Sequence, residues 1–178
     1  MNQHDMTRNM VLAALFAALT AIGAFLQIPT GTVPITLQFL FTALAGLLLG
    51  WKWGAISQLL YVGIGLLQGG GIGYVLQPSF GFLLGLIPAA AVIGALTARR
   101  TGYLTVLAAV LVGDLILYAV GVPYMYLILH VYMQSAKTFP ALLAAMLVYV
   151  PGDTLKIVVV TALVPVLRRT LAKAVPNL

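Results

Sequence analysis

Phe80-Gly-Phe-Leu-Leu-Gly-Leu-Ile-Pro-Ala-Ala-Ala-Val-Ile-Gly-Ala-Leu-Thr-Ala98 is followed by Arg99-Arg100-Thr101-Gly102 and then by Tyr103-Leu-Thr-Val-Leu-Ala-Ala-Val-Leu-Val-Gly-Asp-Leu-Ile-Leu-Tyr-Ala-Val120. The first run has no charged residue and the second has one, Asp114. Each is close to the roughly 20 apolar residues that a helix needs to cross the hydrocarbon core of a bilayer. Two arginines between two such runs read as a turn at a membrane surface. Further apolar runs extend the pattern in both directions, at Met10 to Leu26 and at Ile157 to Leu167. Only 7% of the 178 residues are charged and 62% are apolar, against about 25% charged in a soluble domain. The class predicted is all-α: a polytopic membrane protein forming a six-transmembrane-helix bundle, with residues 1–178 as a single transmembrane domain. Met10 to Gln27 is long for the apolar core of a cleaved signal and lacks a small-x-small exit, so it reads as span one.

The basic residues punctuate these runs and form no surface stripe, which argues against nucleic acid as a partner and for orientation by charge. Arg8 precedes span one, Lys52 lies between spans two and three, and Arg99 and Arg100 lie between spans four and five. Arg168, Arg169 and Lys173 follow span six. Those seven lie on one side, Lys137 alone on the other, and Lys156 falls inside a span. The positive-inside rule makes the seven-residue side cytoplasmic and predicts both termini there.

Several spans are short or broken. Leu37 to Gly50 and Gly54 to Leu67 each reach only about 21 Å at 1.5 Å per residue, against a core of about 30 Å. Pro123 and Pro140 are expected to cut Gly121 to Val150 into two shorter helical pieces. Irregular backbone at membrane depth survives only where protein or a wet cavity satisfies it, so such segments point toward a binding site. The uncharged connection Ile28-Pro-Thr-Gly-Thr-Val-Pro-Ile-Thr-Leu-Gln38 reads as a lid dipping over the bundle. The glycines Gly69 to Gly71 in the connection Gln68 to Ser79 fit either a tight turn or part of the site.

Within spans only Asp114, Asp153 and Lys156 carry charge, and an ionisable group there is functional by default. Counted from the nearest arginine at the helical rise, they stand about 21, 22 and 18 Å into the membrane, at a common height. Asp153 and Lys156 are spaced i, i+3 and share a helix face. Pro151 suits a first helical turn, where the dipole favours the Asp153 carboxylate. The pair either neutralises itself internally or meets a ligand, Asp153 accepting from N–H groups and Lys156 donating to an oxygen. Asp114 is either an internal partner or part of the same site. Gln38, Gln58, Gln77 and Ser79 add neutral hydrogen-bonding groups. Tyr61, Tyr74, Phe80, Phe82, Tyr118 and Tyr124 are ring surfaces for stacking or for packing.

No cysteine is present, and His130 stands far from His4, so neither a thiolate nor a histidine metal site is expected, and no cofactor. GxxxxGK[ST], H-E-x-x-H and G-x-S-x-G are all missing from the sequence, which argues against ATP hydrolysis by a phosphate loop and against protease or esterase chemistry. An ATP-driven process would need a separate motor subunit, and the chain is not expected to be an enzyme. On span one, Ala13, Ala17 and Ala21 recur every four residues beside Ala14 and Ala18. Such small-residue faces let helices approach closely, within the bundle or against a partner membrane subunit.

Val33-Pro-Ile-Thr-Leu-Gln38, Ala45-Gly-Leu-Leu-Leu-Gly50, Gly54-Ala-Ile-Ser-Gln-Leu-Leu-Tyr61, Pro78-Ser-Phe-Gly-Phe-Leu-Leu-Gly85, Gly121-Val-Pro-Tyr124 and Pro151-Gly-Asp-Thr-Leu-Lys156 occur in this order along nearly the whole chain. The ordered set resembles the biotin-binding substrate-capture (S) component of energy-coupling-factor transporters, the BioY family. Two departures are Phe80-Gly81-Phe82, where the family often pairs glycines before the aromatic, and Tyr124, where it tends to have tryptophan. The resemblance implies capture of biotin from outside, with a coupling membrane subunit and two ATPases driving release inside. It implies a six-helix fold with cytoplasmic termini, ligand contacts at Asp153 and Lys156, and docking of the coupling subunit on the alanine face of span one. The alternatives are an S component for another vitamin, or a stand-alone proton-coupled carrier using Asp114, Asp153 and Lys156 as a relay.

Overall fold

A computed structural model describes residues 3–29, 34–68, 71–100 and 102–174. The tip of the first connection, residues 30–33, lies outside the described residues, as do Gly69, Gly70 and the side chains of Arg169 and Lys173. Seven α-helices follow one another among the described residues: α1 (Gln3–Phe25), α2 (Gln38–Gln68), α3 (Ile72–Val75), α4 (Phe80–Leu96), α5 (Tyr103–Leu127), α6 (Phe139–Met146) and α7 (Val150–Ala174). A small antiparallel pair, β1 (Gln27–Ile28) and β2 (Ile35–Thr36), sets Gln27 opposite Thr36 and Ile28 opposite Ile35. The all-α expectation therefore missed a hairpin, because two residues per strand are too few to leave an alternation in the sequence.

Gln3–Phe25, Gln38–Gln68, Tyr103–Tyr132 and Val150–Arg168 are long and apolar enough to cross a membrane, and α4 is a shorter apolar helix of 17 residues. Their outward surfaces carry Leu15, Ile22, Leu59, Leu111, Leu115, Leu155 and Val158, all exposed. Water would penalise such a surface, whereas lipid solvates it, and the helical backbone keeps its polar groups satisfied internally.

The 31 residues of α2 do not run straight. Gly50 has φ 78° and ψ 179°, a conformation that only glycine adopts at little cost, and the helix breaks there. The two halves fold back on each other. Thr42 donates to Gln58 Oε1 at 2.9 Å, the Gln38 amide donates to the Tyr61 hydroxyl, and a Cβ added to Gly54 would sit 2.9 Å from the Cα of Gly46. In each pair the two residue numbers sum to 99 or 100, the register of an antiparallel hairpin turning at Gly50. The segments that looked too short in the sequence are thus the arms of one helical hairpin. Helix α2 packs on α1, α4, α5 and α7 and forms the centre of the bundle.

Pro123 does not cut the chain as expected. It sits inside α5, which runs on to Leu127 and continues as a π-helical turn over Ile128–Tyr132. A proline removes one backbone donor and crowds the preceding turn. Here the flanking Val122 and Met125 are buried against Leu142, Met146 and Tyr149, and that packing keeps the segment helical. Pro140 opens α6 at a position where its missing N–H costs nothing.

The two ends of the bundle differ. At one, the turn at Gly50 and Trp51 touches Gly94 near the end of α4, just before Arg99 and Arg100, and Arg168 donates to Leu47 O at 2.6 Å. At the other, β1–β2, α3, the start of α4, the end of α5, α6 and the start of α7 converge. The candidate residues gather at this second end.

Candidate ligand-binding site

Helix α7 begins with Val150-Pro-Gly-Asp, and the Asp153 amide closes the entry turn by donating to Tyr149 O at 2.9 Å. That puts the Asp153 carboxylate in the first helical turn, at the positive end of the helix dipole. Lys156 follows on the same face. Its Nζ lies 2.5 Å from Asp153 Oδ1, and both side chains are only 9% exposed. Asp153 Oδ2 accepts from the Tyr118 hydroxyl of α5. Lys156 also donates to the backbone carbonyl of Thr36 on β2, at 3.3 Å. Each charge is thus paired with its opposite and supported by a second bond, the condition under which a buried ion pair survives.

The pair forms one wall of a cavity of about 230 Å³, a volume suited to a single small molecule. Phe82 and Tyr118 stand beside the pair, their ring centroids 5.9 Å apart and nearly perpendicular. Gln38 and Tyr61 form the α2 side, and Gln27, Pro34, Ile35 and Thr36 bring the hairpin across the mouth. Tyr74 packs edge-on against Phe80, with centroids 5.4 Å apart. Burial pushes the Tyr74 phenol up, so at neutral pH it remains a hydrogen-bond donor. Phe39, Leu83, Leu86 and Leu117 close the floor. An apolar floor with a few convergent polar groups is the make-up of a small-molecule site.

Of the residues singled out in the sequence, Gln38, Tyr61, Tyr74, Gln77, Ser79, Phe82, Tyr118, Asp153 and Lys156 line this cavity together. Gln58 and Asp114 do not line it. Gln58 is fully buried, and its amide is committed to Thr42, to Thr20 Oγ1 at 3.3 Å and to Ser57 Oγ at 3.0 Å. Asp114 lies one turn before Tyr118 on α5, off the cavity wall, and its Oδ1 is buried without a hydrogen-bond partner. Phe80 and Tyr124 serve packing. Phe80 is buried in the core, and Tyr124 donates to Val75 O at 2.5 Å, tying α3 to α5. The two family departures touch each other, since a Cβ added to Gly81 would collide with the Tyr124 side chain. His130 stacks on Tyr126, with ring centroids 5.3 Å apart.

The alanine face also divides. Ala13 and Ala17 are buried within the bundle and Ala21 packs against its core, so these three form no docking surface. Ala14 and Ala18 face outward. At 3.6 residues per turn, two files one residue apart diverge by about 100°, and a single helix presents one inward and the other outward.

Sequence reasoning missed Thr36, Met146, Tyr149 and the apolar floor. Tyr149 precedes Asp153 by four residues, close to the Pro151 that opens the helix, and that spacing was a usable signal. The contribution of Thr36 is partly a backbone carbonyl, which no residue type reveals.

The sequence profile of the BioY family matches residues 1–173. The chain belongs to the BioY family. Among its curated relatives, a probable biotin transporter BioY of Lysinibacillus sphaericus is 48% identical over 147 residues, covering 78% of this chain and 75% of the relative. The biotin transporter BioY of Rhodobacter capsulatus is 40% identical across 97% of both chains. A crystal structure of the S-component for biotin from an ECF-type ABC transporter superimposes with a TM-score of 0.81 and 28% identity, over 95% of each chain. The Rhodobacter relative and the crystal structure match at least 95% of the chain, so most of the helices that build the cavity fall within the region shared with them.

Proposed function

We propose that this protein captures biotin in the cavity beside Asp153 and Lys156 and serves as the substrate-binding subunit of an ATP-driven energy-coupling-factor transporter. The observation that carries the reading is the buried Asp153–Lys156 pair facing an aromatic-walled cavity in a BioY-family chain. Biotin offers complementary chemistry. The two N–H groups of its ureido ring match a carboxylate acceptor, and a charge-assisted hydrogen bond is about twice as strong as a neutral one. Its fused bicycle suits the faces of Phe82 and Tyr118, and its carboxylate suits donors such as Lys156 or the amides of Gln38 and Gln77.

The chain crosses the membrane six times, the two arms of α2 counting as separate crossings, with both termini on the cytoplasmic side of a prokaryotic cell membrane. The seven-to-one distribution of basic residues supports that orientation, in which the cavity would open toward the outside. A coupling membrane subunit and two ATPases supply the energy, and the outward file of Ala14 and Ala18 on α1 is the docking face. The test is a calorimetric or native mass-spectrometric screen of the detergent-purified protein against the water-soluble vitamins. Saturable one-to-one binding of biotin alone is expected. Preference for another vitamin would overturn the ligand. Uptake that survives loss of the ATPases but collapses with the proton gradient would overturn the coupling.

A further inference from the structure

Thr36 stands where the hairpin meets both polar walls of the cavity. Its backbone carbonyl accepts from Lys156 Nζ of α7 at 3.3 Å, and its hydroxyl donates to Gln38 Oε1 of α2 at 2.7 Å. The hairpin has little else of its own. Each strand contributes two residues, and a ladder that short is marginal without support. The neighbouring Leu37 amide donates to Gly23 O of α1 at 3.1 Å, and Ile35 rests on Gly152, where an added Cβ would approach Ile35 Cγ2 to 3.3 Å. Those contacts seat the base and the apolar side of the hairpin. The two bonds of Thr36 hold its edge against the cavity.

The same two bonds fix donors that face the ligand space. Lys156 has three N–H groups. Asp153 Oδ1 and Thr36 O take two of them, leaving one to the cavity. The Gln38 amide oxygen is used by the Thr36 hydroxyl, and one of its N–H groups goes to the Tyr61 hydroxyl. The second N–H remains, and because Tyr61 accepts that bond, its own hydroxyl proton stays free to donate. Thr36 therefore decides which way the donors on two walls point.

We propose that Thr36 is a positioning residue for the binding site, a latch whose two hydrogen bonds seat the hairpin over the cavity and orient Lys156 and Gln38 toward the ligand. The proposal rests on the cavity being the ligand site. The latch acts on retention: a seated hairpin slows escape, while entry occurs when it is lifted.

The test uses Thr36→Val, which keeps the side-chain shape and removes the hydroxyl, and Thr36→Ser, which restores the hydroxyl without the methyl group. Dissociation of radiolabelled biotin from the detergent-purified full chain is measured by chase with unlabelled biotin. Thr36→Val loses the hydroxyl's bond to Gln38 Oε1 and the longer 3.4 Å bond it accepts from the Gln38 backbone N–H, so release at least about fivefold faster is expected, with association no slower than in wild type and recovery in Thr36→Ser. A second readout needs no biotin. The chain has no cysteine, so a single Leu86→Cys on the cavity floor reports access by its rate of modification with a small, water-soluble methanethiosulfonate reagent. That rate is expected to rise when Thr36→Val is added and to return with Thr36→Ser. Release and modification both unchanged in Thr36→Val would overturn the latch and leave the site assignment standing. Faster modification with unchanged release would overturn its role in retention. A wild-type protein that does not retain biotin, yet shows faster modification on Thr36→Val, would overturn the biotin reading and support the latch.

Discussion

Replacing Lys156 and Asp153 singly and together separates what the pair does for the fold from what it does for the ligand. Lys156→Met leaves the Asp153 carboxylate, whose side chain is 9% exposed, with the Tyr118 hydroxyl in place of a cation. Breaking a buried ion pair from one side costs about 3–5 kcal/mol, because the remaining charge is uncompensated, whereas removing both charges is often close to neutral. Asp153→Asn should cost less than Lys156→Met, since the Asn oxygen and Thr36 O both remain as acceptors for the lysine. The thermal midpoint, followed through Trp51 and Trp53 fluorescence, should therefore fall most in Lys156→Met and recover in the double variant.

Biotin affinity should not follow that order. Each charge-assisted hydrogen bond lost to the ligand removes about 1.5–3 kcal/mol, which is roughly a tenfold to hundredfold weakening at 1.4 kcal/mol per decade. Titration calorimetry should show both single variants weakened by at least tenfold, and the double variant weaker than either although its stability has returned. Singles that bind within threefold of wild type, or a double variant that regains affinity together with stability, would refute the reasoning. The pair would then serve the fold alone.

Ala14→Trp should leave biotin binding and thermal stability near wild type while abolishing uptake in cells that express the whole transporter; Ala17→Trp, at a position 1% exposed, should fail to fold stably. Gly81→Val should push the Tyr124 ring aside, break its bond to Val75 O, and speed amide exchange across residues 72–78, with overpacking costing about 1–3 kcal/mol. Gln58→Leu should cost only about 1 kcal/mol despite complete burial, because every hydroxyl around it keeps a backbone acceptor. Thr20 has Phe16 O, Ser57 has Gly54 O and Thr42 has Gln38 O. Gln58→Glu at the same position should lower the thermal midpoint far more, since it brings a charge with no cation near it.

Much of this arrangement was readable before any coordinates, and the physical reason is the solvent. In a bilayer a charge inside an apolar run is expensive, so Asp153 and Lys156 announced themselves, and their spacing fixed a shared face. The two short runs on either side of Gly50 were legible as separate segments, but their shortness pointed to a site and not to the arms of one helical hairpin. Gln58 and Asp114 looked equal to Gln38 and Tyr118 because sequence gives depth along a helix better than it gives direction around it. The central hairpin turns Gln58 toward α1, and α5 turns Asp114 off the cavity wall. The alanine file failed in the same way, since both registers satisfy a four-residue repeat and only packing against α2 decides which is inside. The hairpin β1–β2 and the Thr36 carbonyl were invisible because their contribution is made by backbone.

The polar contacts also bear on how a bound molecule leaves. From Tyr118 they pass through Asp153 and Lys156 to Thr36, Gln38, Thr42 and Gln58, and end at Thr20 on α1 and Ser57 on α2. They descend α2 from Gln38 through Thr42 and Gln58 to Ser57, whose hydroxyl donates to Gly54 O, and each of these groups is already paired within the protein. Below the cavity floor lie Ala43, Leu47, Ile93, Val110 and Val160, buried and apolar. A ligand with a carboxylate and a ureido group finds no exchange partners among those apolar residues, and stripping its polar groups of partners would cost several kcal/mol each. Moving the floor residues aside would open the extensive contact between α2 and α4. On the transporter reading proposed above, the lower-cost motion would keep the bundle intact and carry the cavity mouth to the other side, with the hairpin lifted there. The sequence has no phosphate-binding loop to drive such a motion. On the same proposed reading, the outward file of Ala14 and Ala18 on α1 would be where a partner applies the force.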